Sequence, residues 1–153
     1  MSFFKIEENT PYPSRKIIGI VTFSFLLFFV LSRLVVYLIL GHLMPNFFLT
    51  IRGVHIHHFT YGVFILSLVG LYLLLKRPTF ESKSFVRACI LYGIGLALTF
   101  DEFGMWIMLD DNYWVRQSYD AVIVIMLLFV NLAYFHTIRN WLVREWRSVF
   151  KKI

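Results

Sequence analysis

Two short polar motifs interrupt the apolar stretches of this chain, and they contain the residues best suited to chemistry. Within R-G-V-H-I-H-H-F-T-Y-G, three of the five histidines fall inside four positions, namely His55, His57 and His58. Within L-T-F-D-E-F, Asp101 and Glu102 are adjacent. Imidazole and carboxylate groups are common ligands of zinc and non-haem iron, and they are common general acids and bases. The two motifs together form the candidate functional site.

The spacing of the histidines suits a metal ion in either of two backbone conformations. In an extended segment, His55 and His57 project from the same side because side chains alternate. If the helix begins earlier, His55 and His58 share one face at positions i and i+3. Two imidazoles and one carboxylate, from Asp101 or Glu102, would form a site for zinc or non-haem iron with an open coordination position. The predicted metal ligands are His55, His57, His58 and Asp101.

Glu102 and Arg33 are the candidate catalytic residues. Asp101 and Glu102 lie about 100° apart on a helix, so one would be a ligand and the other an orienting group or a general base. Arg33 interrupts an apolar stretch, and its planar guanidinium suits an anionic group such as a phosphate. Tyr61 and Thr99 are further candidates for lining the site.

These residues also have structural interpretations, which stay open at this point. The histidines could hydrogen-bond lipid headgroups and turn carbonyls at a membrane interface, or they could form a proton or substrate site without a metal. An ion pair of Arg33 with Asp101 could serve only helix packing. Each interpretation still requires the ionisable groups to face a partner or a cavity, because isolated charges are costly inside a membrane.

The composition places the candidate site in a lipid bilayer. Of the 153 residues, 59% are hydrophobic and 16% are charged, which is more apolar than one soluble domain of this size can bury. The single cysteine, Cys89, excludes a disulfide or a cysteine-based zinc site within the chain. Nucleic-acid binding is a poor explanation for the net charge of +6, because the basic residues lie at the ends of the apolar stretches.

We predict an all-α fold, in which residues 1–153 form one integral membrane domain. Apolar stretches of about twenty residues match the length that a helix needs to cross the hydrocarbon layer. The predicted spans are 17–40, 58–75, 85–104 and 119–138. A C-terminal amphipathic helix, 139–152, combines an apolar face with a basic face, which is typical of a helix lying on anionic lipid. Gly93, Gly95 and Ala97 would let a neighbouring helix approach the third span closely.

The basic residues predict the orientation of these spans. Twelve of the fifteen Lys and Arg residues lie in the segments 1–16, 76–87 and 139–152. The positive-inside rule then places both termini in the cytoplasm and both polar motifs at the outer side of the plasma membrane.

Each predicted span carries a polar side chain at a similar height. With a rise of ~1.5 Å per residue, Arg33, His58, Asp101 and Asp120 lie roughly 24 to 27 Å above the cytoplasmic surface. We therefore predict one polar layer near the outer headgroups, in which Arg33 pairs with Asp101, Glu102 or Asp120.

The segments 52–62 and 93–103, followed by Y-W at 113–114 and S-Y-D-A-V at 118–122, resemble a family of small uncharacterised prokaryotic multi-pass integral membrane proteins. Its pattern is R-G-x-H-x-H-H-F followed by L-x-x-D-E-F. The resemblance covers residues 50–125. It implies that these positions belong together, and it implies no activity.

Three functional hypotheses follow, and membrane lipids are partners in all of them. The first is an outward-facing, metal-assisted enzyme that acts on a lipid or another membrane-soluble substrate. The second is a non-catalytic subunit or assembly factor, in contact with other membrane proteins or with copies of itself. The third is a transporter of protons or metal ions, for which the sequence offers few polar groups below the polar layer.

Overall fold

The computed structural model of the chain describes residues 14–45, 50–51, 54–109 and 116–150. Within these ranges the elements are α1 (Ser14–Leu40), β1 (Thr50–Ile51), β2 (Val54–His55), α2 (His58–Lys76), α3 (Lys83–Asp101), α4 (Phe103–Met108) and α5 (Arg116–Phe150). The two strands pair antiparallel over two residues each. Apart from these strands and the turns that connect the elements, the described part of the chain is helical, which confirms the predicted all-α class.

Three helices, α1, α2 and α3, are long and apolar enough to cross a membrane. The 27 residues of α1 cover about 40 Å, and the 19 residues of α2 and of α3 cover about 28 Å. Large apolar side chains point outward from them. Phe23 of α1 is 68% exposed and Leu74 of α2 is 73% exposed. Such surfaces are favourable against lipid, and we therefore treat the chain as a membrane protein.

Helix α3 ends earlier than the predicted third span, 85–104. Glu102 leaves the helical conformation, with φ −105° and ψ 11°, and it separates α3 from the short helix α4. The polar motif therefore lies at a junction between two helices, and α3 ends three residues before the predicted end of the third span. Helix α2, from His58 to Lys76, agrees with the predicted 58–75 to within one residue.

Helix α5 continues without interruption from Arg116 to Phe150. No break separates the predicted fourth span, 119–138, from the predicted amphipathic helix, whose residues 151–152 lie outside the described residues. The sequence from 116 to 150 contains no glycine or proline, the residues that most often break or kink a helix. The two predicted elements are therefore one helix.

Helix α3 packs against both α1 and α2, and glycines permit this close packing. A Cβ atom built on Gly93 would lie 2.6 Å from the carbonyl oxygen of Val21 in α1. A Cβ atom built on Gly62 would lie 2.6 Å from the main-chain nitrogen of Thr99 in α3. The predicted close approach at Gly93 is confirmed, and Gly62 adds a second one.

The interior between the helices is apolar below the polar motifs. A cluster of buried side chains forms this core: Val21, Phe25, Cys89, Leu96, Ala97 and Val122. Phe25 is fully buried, and its ring meets the ring of Phe129 edge-on at a centroid distance of 6.1 Å. Helices α1, α3 and α5 thus share one core.

We expect Gly62→Ala to lower the free energy of unfolding by about 1–2 kcal/mol. The new Cβ atom would meet main-chain atoms of α3, which cannot move aside as a flexible side chain can. The measurement is reversible unfolding of the purified protein in mixed detergent micelles. Gly70→Ala is the matched control, because it lies in the same helix and its Cβ atom would meet nothing within 4 Å. Equal stability of the two variants would contradict the close packing.

Candidate functional site

The carboxylate of Glu102 caps the N-terminal end of α2. The first turn of α2 has no side-chain cap from His57, the residue that precedes it. Oε2 of Glu102 accepts the main-chain N–H of Phe59 at 2.8 Å instead. Because a helix N-terminus presents N–H groups and a partial positive charge, it stabilises a nearby carboxylate. The Glu102 side chain is only 1% exposed. The α2 backbone therefore compensates this carboxylate for the water that it loses on burial.

Arg33 contacts the C-terminal end of α3, so that a cation lies at this helix terminus where an anion, Glu102, lies at the N-terminus of α2. Its Nε atom lies 2.5 Å from Oδ1 of Asp101, and its Nη2 atom donates a hydrogen bond to the main-chain carbonyl of Asp101. Asp101 is the last residue of α3, where carbonyl groups lack partners within the helix. The predicted ion pair is confirmed, and Asp101 is the acidic partner.

Two aromatic rings flank the guanidinium group of Arg33. Its Cζ atom lies 5.0 Å from the ring centroid of Tyr119 in α5 and 5.6 Å from that of Phe29 in α1, within the range of a cation–π interaction. Asp120, which the polar layer was predicted to include, does not join this cluster. It is half exposed, and its Oδ2 atom lies 3.4 Å from Nε of Arg116 on the same helix.

His57 and His58 face the two carboxylates from the start of α2. Nδ1 of His57 lies 3.4 Å from Oε1 of Glu102. Nδ1 of His58 lies 3.8 Å from Oδ2 of Asp101 and 3.9 Å from Oε1 of Glu102. His57 has extended backbone, and His55 belongs to strand β2. Of the two conformations considered for the histidine motif, the extended one is therefore correct up to the start of α2.

Four segments thus bring the predicted residues together: α1, the start of α2, the end of α3 and the junction before α4. The side chains of this cluster that the structure describes carry more negative than positive formal charge. Asp101 and Glu102 carry two formal negative charges, and Arg33 carries one positive charge. A proton on a histidine or a bound cation would neutralise the remaining negative charge, and such compensation is what buried charges require.

The predicted metal site is not supported by the side chains that the structure describes. Among them, no group of three or more His, Cys, Asp or Glu residues is arranged to hold a metal ion. The predicted ligand set included His55, whose side chain lies outside the description. Zinc or non-haem iron therefore stays a prediction for this site.

A cavity of about 390 Å³ opens beside His57 and Glu102. Thr60 also lines its polar side, and the remaining walls are apolar: Phe59, Met105, Trp106 and Leu109. The rings of Phe59 and Trp106 are stacked, with centroids 5.5 Å apart and planes 12° apart. Arg33, Asp101 and His58 are not among the residues that line the cavity. The cavity is thus lined by one partly exposed imidazole and one buried carboxylate among mostly apolar side chains.

The sequence analysis grouped Ser118 and Tyr119 with the polar motifs through the family resemblance but gave them no role in the site. Ser118 is fully buried, and its Oγ atom accepts the main-chain N–H of Gly104 at 2.9 Å, which attaches α4 to α5. A signal was present, because Ser118 lies one helical turn before Val122 and therefore on its face of the helix. Val122 is a core residue.

Tyr61 and Thr99, the two further candidates, do not line the cavity. The hydroxyl of Thr99 donates a hydrogen bond to the carbonyl oxygen of Gly95 in its own helix, at 2.8 Å. Thr99 also lies against Gly62, at the close contact between α3 and α2.

The comparisons with known proteins leave the function to be inferred from this geometry. The chain matches no family model, no curated protein and no solved structure.

Proposed function

We propose that this protein is an integral membrane enzyme that binds a membrane-soluble amphiphile and transfers a proton to or from its polar group. The observation that carries the proposal is the cavity of about 390 Å³, with His57 and Glu102 at its polar side and mostly apolar walls. Pockets for small ligands have this size and this distribution of polarity. A lipid headgroup would meet the polar side, and an apolar chain would lie along Phe59 and Trp106.

His57 is the group proposed to exchange the proton. Its side chain is one-third exposed, whereas that of Glu102 is buried. The N–H of Phe59 fixes Oε2 of Glu102, which leaves Oε1 beside Nδ1 of His57. A carboxylate in this position orients an imidazole, selects its tautomer and stabilises the imidazolium that forms when it accepts a proton. Glu102 is thus the positioning residue for His57.

Arg33 and Asp101 do not line the cavity, but they position residues that do. Their ion pair joins α1 to the end of α3, and the next residue after α3 is Glu102. A displacement of Asp101 would therefore move the carboxylate that orients His57. We assign to Arg33 this positioning role rather than contact with the substrate.

We further infer that α5 crosses the membrane as a fourth span. Near one end, Tyr119 contacts Arg33. Further along, Nε of Arg15 donates a hydrogen bond to the carbonyl oxygen of Ala133 at 3.1 Å, and its guanidinium lies 5.3 Å from the ring centroid of Tyr134. Residues 119–134 cover about 22 Å and residues 15–33 of α1 about 27 Å. The apolar stretch of α5 therefore runs antiparallel to α1 over nearly the same length.

The four spans and the basic residues support one orientation in the plasma membrane. Both termini would lie in the cytoplasm, and the cavity would lie near the outer headgroups. The part of α5 beyond Tyr134 would continue past the cytoplasmic surface, where its basic residues Arg139 and Arg144 meet anionic lipid.

A second function, as a non-catalytic subunit or assembly factor, is favoured by one observation. Glu102 and Arg33 both satisfy helix termini, which is a complete structural use of two costly buried charges. In that case the polar cluster would only fix the packing of α1, α2 and α3. Transport has less support, because the core below the cluster is apolar.

Photo-cross-linking in proteoliposomes tests whether the cavity binds a lipid, as the enzyme proposal requires. The probe is a phospholipid with a diazirine group in its acyl chain, and labelled peptides are mapped by mass spectrometry. We expect labelling of 57–62 and 103–109 above that of the lipid-facing residues of α5. Thr60→Trp, which fills the cavity, should reduce it at least several-fold. Val63→Trp is the matched control, because Val63 is exposed one turn further along α2 and does not line the cavity.

The metal content of the purified protein distinguishes a metal-assisted reaction from proton transfer by His57 alone. About one zinc or iron per chain, lost in the double variant His55→Ala with His57→Ala, would favour the metal-assisted form. Metal at background level would favour proton transfer by His57 alone. Equal labelling of the Thr60→Trp and Val63→Trp variants would contradict substrate binding in the cavity.

A further inference from the structure

A second groove lies between α2 and α3, at the end of the bundle opposite to the candidate site. It has a volume of about 380 Å³, and its lining includes Val69 and Tyr72 of α2 and Ser84, Arg87 and Ala88 of α3. Arg87 precedes Asp101 by fourteen residues, which corresponds to about 21 Å along α3. The groove is therefore separate from the cavity beside His57.

The polarity of this groove changes along the helices. Tyr72, Ser84 and Arg87 lie within the last turn and a half of α2 or the first turns of α3. Leu68 and Leu91 line the groove further toward the middle of the bundle, and they are 64% and 46% exposed. A polar mouth thus continues into an apolar channel that is open to the surrounding lipid. The head and the acyl chains of a phospholipid have the same order of polarity.

Basic residues are concentrated at the end of α2 and the start of α3, and one of them, Arg87, lines the groove. Lys76, Arg77, Lys83 and Arg87 are all exposed, and Glu81 is the single acidic residue between positions 76 and 87. The N-terminal end of α3 adds a partial positive charge at the same place. A zwitterionic headgroup would gain little from this excess of positive charge, whereas an anionic headgroup would gain from each basic residue.

We infer that the groove between α2 and α3 binds an anionic glycerophospholipid, with its phosphate at Arg87 and one acyl chain along Leu68 and Leu91. The inference rests on the orientation proposed above, which places this end of α2 and α3 at the cytoplasmic surface, and not on the chemistry of His57. Basic pockets between transmembrane helices near the cytoplasmic surface bind anionic lipid headgroups in this way. Lipid binding at this site would anchor the chain in the anionic inner leaflet.

Native mass spectrometry of the delipidated full chain tests this inference. Phosphatidylglycerol and phosphatidylcholine with identical acyl chains are titrated separately, and the fraction of protein with one bound lipid is measured. We expect tighter binding of phosphatidylglycerol. Arg87→Gln should weaken that binding about five-fold, the factor that one basic residue contributes near anionic lipid. Phosphatidylcholine binding should change less, because its headgroup has no net charge.

Three further measurements decide the outcome. Arg116→Gln is the matched control, because it removes the same charge from an exposed position at the opposite end of the bundle on α5, and it should leave the affinity unchanged. Arg87→Lys keeps the charge and should retain most of the binding. Glycerol 1-phosphate, which has no acyl chain, should not displace the lipid at equal concentration. Equal binding of the two lipids, equal losses in Arg87→Gln and Arg116→Gln, or displacement by glycerol 1-phosphate would overturn the inference.

Discussion

Arg33→Gln will lower the free energy of unfolding by about 3–5 kcal/mol, the largest effect that we expect from a single substitution in the described residues. The carboxylates of Asp101 and Glu102 are 0% and 1% exposed, and both would remain buried without the guanidinium. The substitution also removes the hydrogen bond to the last carbonyl of α3 and the cation–π contact with Tyr119. Equilibrium unfolding in mixed micelles, followed by circular dichroism, measures the change.

An exposed ion pair on α5 provides the control for this prediction. Arg116 and Asp120 are separated by 3.4 Å, but their side chains are 88% and 54% exposed. Arg116→Gln should therefore change stability by less than about 1 kcal/mol. The double variant Arg33→Gln with Asp101→Asn should recover part of the loss, because it removes a buried charge as well as its partner. A loss in Arg33→Gln no larger than that in Arg116→Gln would show that the buried pair is unimportant.

The height of each polar residue in the bundle could be predicted from the sequence, whereas its direction could not. The rise of a helix is fixed, so the positions of Arg33 and Asp101 relative to the span ends follow from counting residues. The direction around the helix axis depends on packing. Tyr119 and Asp120 are neighbours about 100° apart, and the packing of α5 against α1 turns Tyr119 toward Arg33 while Asp120 stays exposed.

The helix ends were harder to predict because they depend on contacts with distant residues. Residues 103–108 are apolar and could have continued α3 to position 104. Instead, Arg33 satisfies the main-chain carbonyl of Asp101, and the N–H of Phe59 fixes the Glu102 side chain. These partners lie 68 and 43 positions away in the chain. The cavity also depends on this break, since Met105 and Trp106 of α4 form part of its wall.

The same contacts explain how the buried carboxylate of Glu102 can be stable at the candidate functional site. A buried carboxylate is unfavourable unless hydrogen bonds and positive charge compensate for the loss of water. Glu102 receives both from the first turn of α2, where the N–H of Phe59 and the helix dipole act on one oxygen. The other oxygen is then available to His57 without a second cation in the cavity. The structural and chemical uses of Glu102 are therefore compatible, and they can be separated by experiment.

Two substitutions at Glu102 separate these uses. Glu102→Ala should lower the free energy of unfolding by about 3 kcal/mol, because it leaves the buried N–H of Phe59 without its acceptor and creates a cavity. Glu102→Gln retains an oxygen for this N–H and should lose less stability. Both variants remove the negative charge beside Nδ1 of His57. Unfolding in mixed micelles measures the structural use, and the ¹⁵N resonances of the His57 ring measure the chemical use.

The ring resonances give a result that a purely structural role would not produce. A carboxylate beside Nδ1 favours the tautomer that carries its proton on Nδ1, so the wild type should be predominantly in that form. Glu102→Gln should shift the ring toward a mixture of tautomers while the fold persists. Asp120→Asn, the same chemical change at an exposed position on α5, should alter neither stability nor tautomer. An unchanged His57 tautomer in a folded Glu102→Gln variant would limit Glu102 to capping α2, because proton transfer by His57 requires the carboxylate to act on its ring.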